Sequence, residues 1–228
     1  MARKKIELDT LQQKTLSLFA DSFLVKKFYW TGGTALTYFY LQHRKSEDID
    51  LFSETPFLYE EILSFIKTIQ QSVKLKKVEE KRIFSRHEFF LHNSSTLRLE
   101  FVHYDFPAIQ KRKKWKGIYV DSLTDMAANK TMAMLDRHDP KDAIDIYFLI
   151  HKSKISPKRL LSLVKKKFGI TFPLSSFWDR ALLASQMLNN IRPLLLGSEK
   201  SKIKTIDSIR LFFEIEAAKE MRKHLLYS

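Results

Sequence analysis

Two pairs of residues in the first quarter of the chain have types and a spacing suited to chemistry on phosphates. Gly32 and Gly33 are adjacent, and they are two of only five glycines in 228 residues. Asp48 and Asp50 follow, separated by one isoleucine. Adjacent glycines let a backbone turn with positive φ and approach a ligand closely. Two neighbouring carboxylates repel each other unless a cation lies between them. Together the two pairs indicate a phosphate-binding turn that faces a metal site.

The elements that must position these residues are a strand, a helix and a second strand. The apolar run 26–30 predicts a short strand, and 34–43 predicts a helix whose first N–H groups favour an anion. Residues 49–52 predict the next strand, and residues two apart lie on one face of a strand, so Asp48 and Asp50 point the same way. Oxygen ligands alone suit Mg²⁺. Each pair taken by itself is typical of a solvated strand end or of an ordinary turn.

A third carboxylate comes from the run 96–102, which alternates between apolar and other residues. This period predicts a strand, antiparallel to an earlier one and joined to it by a turn at residues 93–95. Leu97 lies on its apolar side, whereas Arg98 and Glu100 lie on the other side. Glu100 therefore comes from a strand that could lie beside the Asp-x-Asp strand. The alternative is an ordinary exposed glutamate.

A second group of charged residues falls on faces that are otherwise apolar. On the helix predicted after Ser122, the side chain of Lys130 lies on the inward face. Asp142 and Asp145 belong to a helix that begins after Asp139 and is apolar nearly all round. Charged groups on buried faces are costly unless they meet a partner. These residues therefore indicate either an anion-binding contact or an internal ion pair.

Composition restricts the class of protein. The chain has no cysteine, which excludes disulfides, zinc–thiolate sites and cysteine nucleophiles. No signal peptide is visible, and the longest uncharged run, 28–43, is too short and too polar to span a membrane. We therefore expect a cytoplasmic protein that does not act at a membrane.

The basic charge is concentrated in the second half of the chain. Residues 1–104 hold 16 Lys/Arg and 13 Asp/Glu, whereas residues 105–228 hold 24 and 13. A basic surface raises the affinity for nucleic acid, although a merely basic protein is the alternative. The densest basic run, 111–117, contains Trp115, which either stacks on a base or packs back on the fold.

Two motifs resemble the AbiEii/AbiGii toxin family, a branch of the nucleotidyltransferases that share the DNA polymerase β active-site fold. The likeness covers roughly residues 28–150. The first motif is Gly32-Gly33-Thr34 followed by Arg44-x-Ser46-Glu47-Asp48-Ile49-Asp50-Leu51-Phe52. The second is Lys130, Arg137 and Lys141-Asp142-x-x-Asp145-x-Tyr147.

The resemblance implies an α/β (α+β) fold. We expect a nucleotidyltransferase core with a mixed β-sheet flanked by helices over residues 1–120. A helical, basic C-terminal region over residues 121–228 would follow and complete the active-site cleft.

The resemblance also implies an activity, namely transfer of a nucleoside monophosphate from an NTP to an acceptor hydroxyl with release of pyrophosphate. RNA is the implied acceptor, with a tRNA 3′ end as the leading candidate, bound through the basic C-terminal half. Two Mg²⁺ (or Mn²⁺) ions would take part. The family likeness further implies a toxin that is controlled by a separate protein antitoxin.

The resemblance assigns three sets of site residues. The metal ligands would be Asp48, Asp50 and Glu100. The catalytic set would add Lys130 and Asp145 to these three. The nucleotide-binding set would be Gly32, Gly33, Thr34, Lys130 and Asp142.

Two other functions fit the same sequence. One is a catalytically inactive nucleic-acid-binding protein on the same fold, and thermal stabilisation by NTP plus metal would separate it from an enzyme. The other is a small-molecule nucleotidyltransferase, which a weak salt dependence of RNA binding would favour.

Overall fold

The structure, a computed structural model, describes residues 6–227, although the side chains of residues 224–227 are outside that description. The chain forms two compact units. The first, here called the sheet unit, contains the residues up to 42 and residues 46–123. The second, here called the helical unit, contains residues 43–45 and the residues from 124 onward. The sequence placed a boundary three residues earlier, after residue 120, and did not assign residues 43–45 to the later part of the chain.

The sheet unit contains three helices and seven strands. Its elements are α1 (Thr10–Asp21), β1 (Tyr29–Thr31), α2 (Gly32–Leu36), β2 (Ile49–Ser53), α3 (Tyr59–Val73), β3 (Lys77–Ile83), β4 (Arg86–His92), β5 (Thr96–His103), β6 (Lys113–Trp115) and β7 (Ile118–Val120). A 3₁₀ turn (Phe23–Lys26) precedes β1, and a π-helical segment (Thr37–Leu41) continues α2. The predicted helix after the glycines is therefore present, and it begins at Gly32 rather than at Thr34.

The seven strands form one mixed sheet in the order β3-β4-β5-β2-β1-β7-β6. Strand β2 lies at its centre, antiparallel to β1 and parallel to β5. The turn at residues 93–95 joins the antiparallel strands β4 and β5, as predicted. Parallel neighbours need a long crossover connection, and here α3 and the β3–β4 hairpin lie in the crossover between β2 and β5. This order puts residues that are distant in sequence side by side on β2 and β5.

One face of the sheet is apolar and is covered by α1 and α3. Phe101 of β5 meets Phe65 of α3 at 6.2 Å between ring centroids, and Phe65 meets Phe19 of α1 at 6.0 Å. Phe28 packs edge-on against Phe101 at 5.2 Å. Because successive side chains of a strand alternate between faces, burial of this face leaves the other face of β2 and β5 to polar residues. Asp50 and Glu100 lie on that face.

The helical unit contains α4 (Leu123–Asp136), α5 (Pro140–His151), α6 (Pro157–Phe168), α7 (Leu174–Gln186) and α8 (Glu199–Tyr227). Aromatic rings of α5, α7 and α8 pack in its core, where Phe213 lies 6.4 Å from Tyr147 and 6.4 Å from Trp178 between ring centroids. The segment 43–45 is held by a β-bridge between Arg44 and Leu195. The observed architecture confirms the fold class that the sequence predicted. In the described part of the chain, none of the helices has the length and apolar character that crossing a membrane requires.

Candidate active site

The glycine turn and the Asp-x-Asp strand meet at Gly32 and Asp50. Gly32 begins α2 directly after β1, and its φ is +76°. A Cβ atom added at this position would lie 2.5 Å from Cγ of Asp50, a distance that non-bonded carbon atoms do not reach. Only glycine therefore fits, because of both its backbone conformation and the space available. Positive φ was expected for the glycine pair, but Gly33 does not share it.

The three carboxylates predicted to form a metal site lie on neighbouring segments. Asp50 of β2 is in register with Glu100 of β5, which confirms the strand placement predicted for Glu100. Asp48 is two residues before Asp50, immediately ahead of the strand. The side chains of Asp48, Asp50 and Glu100 are 24%, 12% and 5% exposed. Access from solvent thus falls from Asp48 to Glu100.

Arg98 lies among these carboxylates, and it was not among the predicted site residues. Its Nη2 donates to Oδ2 of Asp48 at 2.9 Å and lies 3.7 Å from Oδ1 of Asp50. Its Nη1 lies 3.7 Å from Oε2 of Glu100. Arg98 is two residues from Glu100 on one strand, so the alternation of β5 already placed both side chains on the same face. That alternation was the signal that could have identified it.

Two further residues belong to the same cluster and were also missed. Glu88 of β4 is in register with Glu100, and its Oε1 lies 3.5 Å from Nη1 of Arg98. Arg86, two residues earlier on β4, brings its Nε to 2.6 Å from Oε1 of Glu100. Which residues face each other across β4 and β5 depends on the register of the hairpin, and a strand pattern alone does not provide that register. Four carboxylates and two guanidinium groups therefore share this face of the sheet, and we call them the carboxylate cluster.

Electrostatics in the carboxylate cluster favour a bound cation. Burial raises the pKa of Glu100, and the negative charge of Asp50 raises it further, to about 8. Burial opposes the charge of Arg98, but Asp50 and Asp48 outweigh it and raise the pKa of the guanidinium. Both shifts share one contribution, which is the negative charge of the neighbouring carboxylates.

The donor set fits a hard divalent cation. Asp48, Asp50 and Glu100 offer only oxygen atoms, the ligands that Mg²⁺ takes. Oε1 of Glu100 is buried and accepts no hydrogen bond, because the nearby N–H of Arg86 is not aimed at it. Among the side chains of residues 6–223, however, no three acidic or histidine groups are gathered closely enough to hold a metal ion as they stand. A guanidinium lies at the centre of the cluster instead.

Thr34 fixes the start of the Asp-x-Asp segment. Its hydroxyl donates a hydrogen bond to the backbone carbonyl of Asp48, and the side chain is buried. The hydroxyl was predicted to contact nucleotide phosphate, but in this structure it ties the first turn of α2 to Asp48. Binding of an anion by the backbone N–H groups of the turn stays a prediction.

The second group of charged residues forms a closed network inside the helical unit, and we call it the buried ion network. Nζ of Lys130 lies 3.0 Å from Oδ1 of Asp142 and 2.9 Å from Oδ2 of Asp145. Arg44 donates from Nε to Oδ1 of Asp145 at 2.8 Å and from Nη2 to Oδ2 at 2.9 Å. His43 donates from Nε2 to the same Oδ1 at 2.7 Å.

This network matches the internal ion pair that the sequence left as an alternative. The Asp142 and Asp145 side chains have no exposed surface, and that of Lys130 is 13% exposed. Arg137 adds a further cation, with Nε 2.8 Å from Oδ2 of Asp142. Three cations therefore surround two carboxylates, and every carboxylate oxygen of the pair has a charged partner.

The protonation states of the network follow from this pairing. Burial alone would raise the pKa of Asp145, but Arg44, Lys130 and the hydrogen bond from His43 hold it well below its usual range. Burial lowers the pKa of His43, which is therefore neutral at pH 7 and carries its proton on Nε2. Nδ1 of His43 is buried without a hydrogen-bond partner.

The basic run 111–117 is part of the sheet unit. Trp115 packs back on the fold, 5.6 Å from Trp30 and 5.7 Å from Tyr38 between ring centroids. Arg112 is held by Asp121, with Nε 3.1 Å from Oδ1, and its guanidinium stacks 3.5 Å above the ring of Tyr29. Of the two alternatives for this run, the structure favours packing over base stacking.

Comparison with known proteins decides the family. Residues 15–172 match the family described as nucleotidyl transferase AbiEii toxin, type IV toxin–antitoxin system. The chain belongs to this AbiEii family. The resemblance found in the two sequence motifs is thereby confirmed, and the match includes both the carboxylate cluster and the buried ion network. A relative, the uncharacterized protein aq_aa25 of Aquifex aeolicus, is 30% identical over 161 residues, which are 69% of this chain and 74% of the relative.

One solved structure shares the fold of this chain, and a second is more distantly similar. JHP933 from Helicobacter pylori superposes with a TM-score of 0.58 at 17% identity, covering 97% of this chain and 100% of JHP933. The nucleotidyltransferase toxin MenT4 from Mycobacterium tuberculosis gives a TM-score of 0.48 at 13% identity, covering 93% and 86% of the two chains.

Proposed function

We propose that this chain transfers a nucleoside monophosphate from an NTP to an acceptor hydroxyl and releases pyrophosphate. The observation that carries the proposal is the contact between Gly32 and Asp50, beside which Glu100 stands in register. A glycine turn that opens a helix favours phosphate, and the adjacent carboxylates favour a divalent cation. Membership of the AbiEii nucleotidyltransferase family supports the same reaction.

Each predicted site residue named below from the sheet unit has a proposed task. Asp48, Asp50 and Glu100 would hold Mg²⁺ or Mn²⁺, which would neutralise phosphate charge and lower the pKa of the acceptor hydroxyl. The backbone N–H groups at Gly32 and Gly33 would bind phosphate oxygens. In the reaction, the acceptor oxygen would form a bond to the α-phosphorus as the bond from that phosphorus to pyrophosphate breaks. The carboxylate of Glu100 would take the proton of the acceptor hydroxyl.

The helical unit has a supporting task in this proposal. The AbiEii resemblance predicts nucleotide contacts for Lys130 and Asp142 and a catalytic role for Lys130 and Asp145. Because each of these groups already has a buried ionic partner, the contacts support a structural role for the three. Nζ of Lys130 lies within 3.0 Å of both carboxylates, which leaves at most one of its three N–H groups for a nucleotide.

The test is to incubate wild type and Asp50→Asn with each labelled NTP, Mg²⁺ and total RNA, and to compare the rates at which the two proteins transfer label to the RNA. We expect Asp50→Asn to lower the rate at least about a hundredfold, because the charge that develops on the phosphates loses its stabilisation. The matched control is Asp207→Asn, which changes an aspartate of the helical unit that is 65% exposed. Transfer by Asp50→Asn at the wild-type rate would refute the proposed mechanism.

We further propose RNA as the acceptor, supported by the basic surface of α6. Between Asp145 and Asp179 the chain has seven Lys/Arg and no acidic residue. Lys158, Lys165 and Lys166 of α6 are exposed, and no carboxylate of the described residues lies within ion-pair distance of them. Unpaired cations release counter-ions from a polyanion on binding, which makes the binding dependent on salt.

Paired lysines of α8 provide a matched control for this surface. Lys219 and Lys223 are also exposed, but each lies beside a glutamate three residues away. Reversing the charge of Lys165 and Lys166 together should weaken RNA binding and reduce the salt slope by about two. Reversing the charges of Lys219 and Lys223 together should change the RNA affinity and the salt slope less. RNA binding without salt dependence, together with transfer to a small hydroxyl compound, would favour the small-molecule enzyme.

Family membership supports a toxin role under the control of an antitoxin. If nucleotide transfer causes the toxicity, induced expression should stop growth with wild type and not with Asp50→Asn. Growth arrest by both proteins at equal abundance would separate toxicity from the carboxylate cluster.

A further inference from the structure

Arg98 contacts both aspartates of the carboxylate cluster. Among residues 6–223, whose side chains the structure describes, no other Lys, Arg or His nitrogen lies within 4 Å of the carboxylate of Asp48 or Asp50. Arg86, the other guanidinium of the cluster, contacts Glu88 and Glu100 alone. The two arginines therefore divide the cluster, and only Arg98 reaches its aspartate side.

The guanidinium of Arg98 lies between the carboxylates rather than on one of them. Its Nη2 faces the two aspartates, at 2.9 and 3.7 Å, and its Nη1 faces the two glutamates, at 3.5 and 3.7 Å. A single contact is short, and the bidentate geometry of a strong arginine–carboxylate pair is absent from these four contacts. A position central to several carboxylates is the one that a counter-ion takes.

We infer that Arg98 is a built-in competitor of the divalent cation, whose guanidinium holds the oxygens of Asp48 and Asp50 until an ion displaces it. This inference rests on the proposed function, because it assumes that the carboxylate cluster binds the ion. It assigns Arg98 a positioning role that neither the sequence motifs nor the family match provides.

Two physical reasons make the guanidinium and the ion exclude each other. Mg²⁺ needs oxygen ligands at about 2.0–2.1 Å in an octahedral arrangement. Nη2 of Arg98 now donates to Oδ2 of Asp48 and lies 3.7 Å from Oδ1 of Asp50, where an ion would have to bind. A guanidinium and a dication at the same oxygens would also repel each other strongly in a partly buried site.

The side chain of Arg98 can withdraw. It is 29% exposed, and its long apolar stem allows the charged head to move toward solvent. Arg86 would stay beside Glu88 and Glu100, so the glutamates would keep a cation. With no divalent ion bound, Arg98 relieves the repulsion between Asp48 and Asp50. Its removal should therefore tighten ion binding and destabilise the ion-free protein.

The test is Mn²⁺ binding to the chelator-treated full chain, measured by calorimetry and by the paramagnetic resonance of free Mn²⁺. We expect Arg98→Ala to bind Mn²⁺ about tenfold more tightly than wild type or better, since a positive charge beside the ion is removed. Arg82→Ala is the matched control, because Arg82 pairs with Glu80 on β3 and touches none of the cluster. Arg82→Ala should bind as wild type does.

Added guanidinium gives a second readout on the same variant. At a concentration well below the unfolding transition it should weaken Mn²⁺ binding to Arg98→Ala toward the wild-type value, while sodium chloride at equal ionic strength should do so less. If Arg98→Ala does not fold, Arg98→Lys replaces it, with a smaller tightening expected because a compact ammonium cannot span both carboxylate pairs.

The outcomes separate the inference from the proposed function. If Arg98→Ala binds Mn²⁺ no more tightly than wild type while Asp50→Asn loses binding, the inference is wrong and the metal site stands. If Asp50→Asn binds Mn²⁺ as wild type does, the carboxylate cluster is not the metal site and both fail.

Discussion

The two acidic clusters of this chain share residue types and differ in charge balance. In the carboxylate cluster of the sheet unit, four carboxylates share two guanidinium groups, and the contacts of Arg98 range from 2.9 to 3.7 Å. In the buried ion network of the helical unit, Asp142 and Asp145 share Arg44, Lys130 and Arg137 at 2.8–3.0 Å. The first cluster has fewer cations than carboxylates and is partly exposed to solvent. The second has more cations than carboxylates, and its two carboxylates are fully buried.

The difference shows how to separate a functional site from a structural one when both are acidic. A buried carboxylate whose oxygens all have charged partners has no remaining affinity for an ion. Removing one of its partners would destabilise the fold, because the remaining charge would be buried without a counter-charge. A cluster with surplus negative charge raises the pKa of one member, as at Glu100, or takes up a cation. Charge balance, rather than the presence of aspartates, favours the carboxylate cluster as the active site.

The largest expected effect is the loss of stability on changing Asp145. Asp145→Asn leaves Arg44 and Lys130 without a full counter-charge in a buried site, which should lower the free energy of unfolding by about 3–5 kcal/mol. Asp50→Asn removes a repelling charge and should leave stability unchanged or raised when measured with chelator present. Urea unfolding monitored by circular dichroism tests both variants. An Asp145→Asn variant as stable as wild type would contradict the structural role of the network.

A smaller effect is expected at Gly32, where two glycines provide a matched pair. Gly32→Ala and Gly117→Ala both force a left-handed backbone on alanine, at φ +76° and +85°, with a cost of about 1–2 kcal/mol each. A Cβ at Gly117 meets no atom within 4 Å, whereas at Gly32 it meets Asp50. Gly32→Ala should therefore lose further stability and nucleotide transfer, and Gly117→Ala should keep transfer. Equal transfer by both variants would show that the turn does not position Asp50.

The smallest expected effect is the pH dependence contributed by His43. Its pKa is lowered in the folded protein, so the unfolded chain binds the proton first as the pH falls below about 6.5. The contribution of His43 to the free energy of unfolding is therefore fully present above that pH. It decreases as the pH falls below that value, by up to about 1.4 kcal/mol per pH unit. The contribution of Asp145, whose pKa is depressed, is lost only at lower pH. His43→Gln should flatten the dependence of the unfolding free energy on pH between pH 7 and 5. An unchanged slope in His43→Gln would mean that His43 already accepts a proton when folded.

Much of the site could be predicted because it is local in sequence. Gly32 and Asp50 lie within one strand–helix–strand unit, where glycine chemistry and the two-residue period of a strand determine which groups face each other. The alternation of β5 likewise placed Glu100 on the polar face. The burial of Lys130 and Asp145 followed from their positions on apolar helix faces.

What could not be predicted depends on contacts between distant segments. Glu88 joins the carboxylate cluster only through the register of β4 against β5, and Arg44 reaches Asp145 across 101 positions of the chain. Sequence periodicity describes one element at a time and does not say which element packs beside it. Arg98 differs, because the alternation of β5 placed it on the predicted polar face, but a strand period does not distinguish an arginine that pairs with carboxylates from a solvated one.

The most direct test of the central claim is the rise in melting temperature that Mn²⁺ and a non-hydrolysable NTP analogue produce together. At ligand concentrations about 100-fold above Kd, wild type should gain roughly 5–10 °C. Asp145→Asn should start from a lower melting temperature and gain a similar rise, because its carboxylate cluster is intact. Asp50→Asn should gain none. A full rise in Asp50→Asn would contradict the assignment of the carboxylate cluster as the site of metal and nucleotide binding.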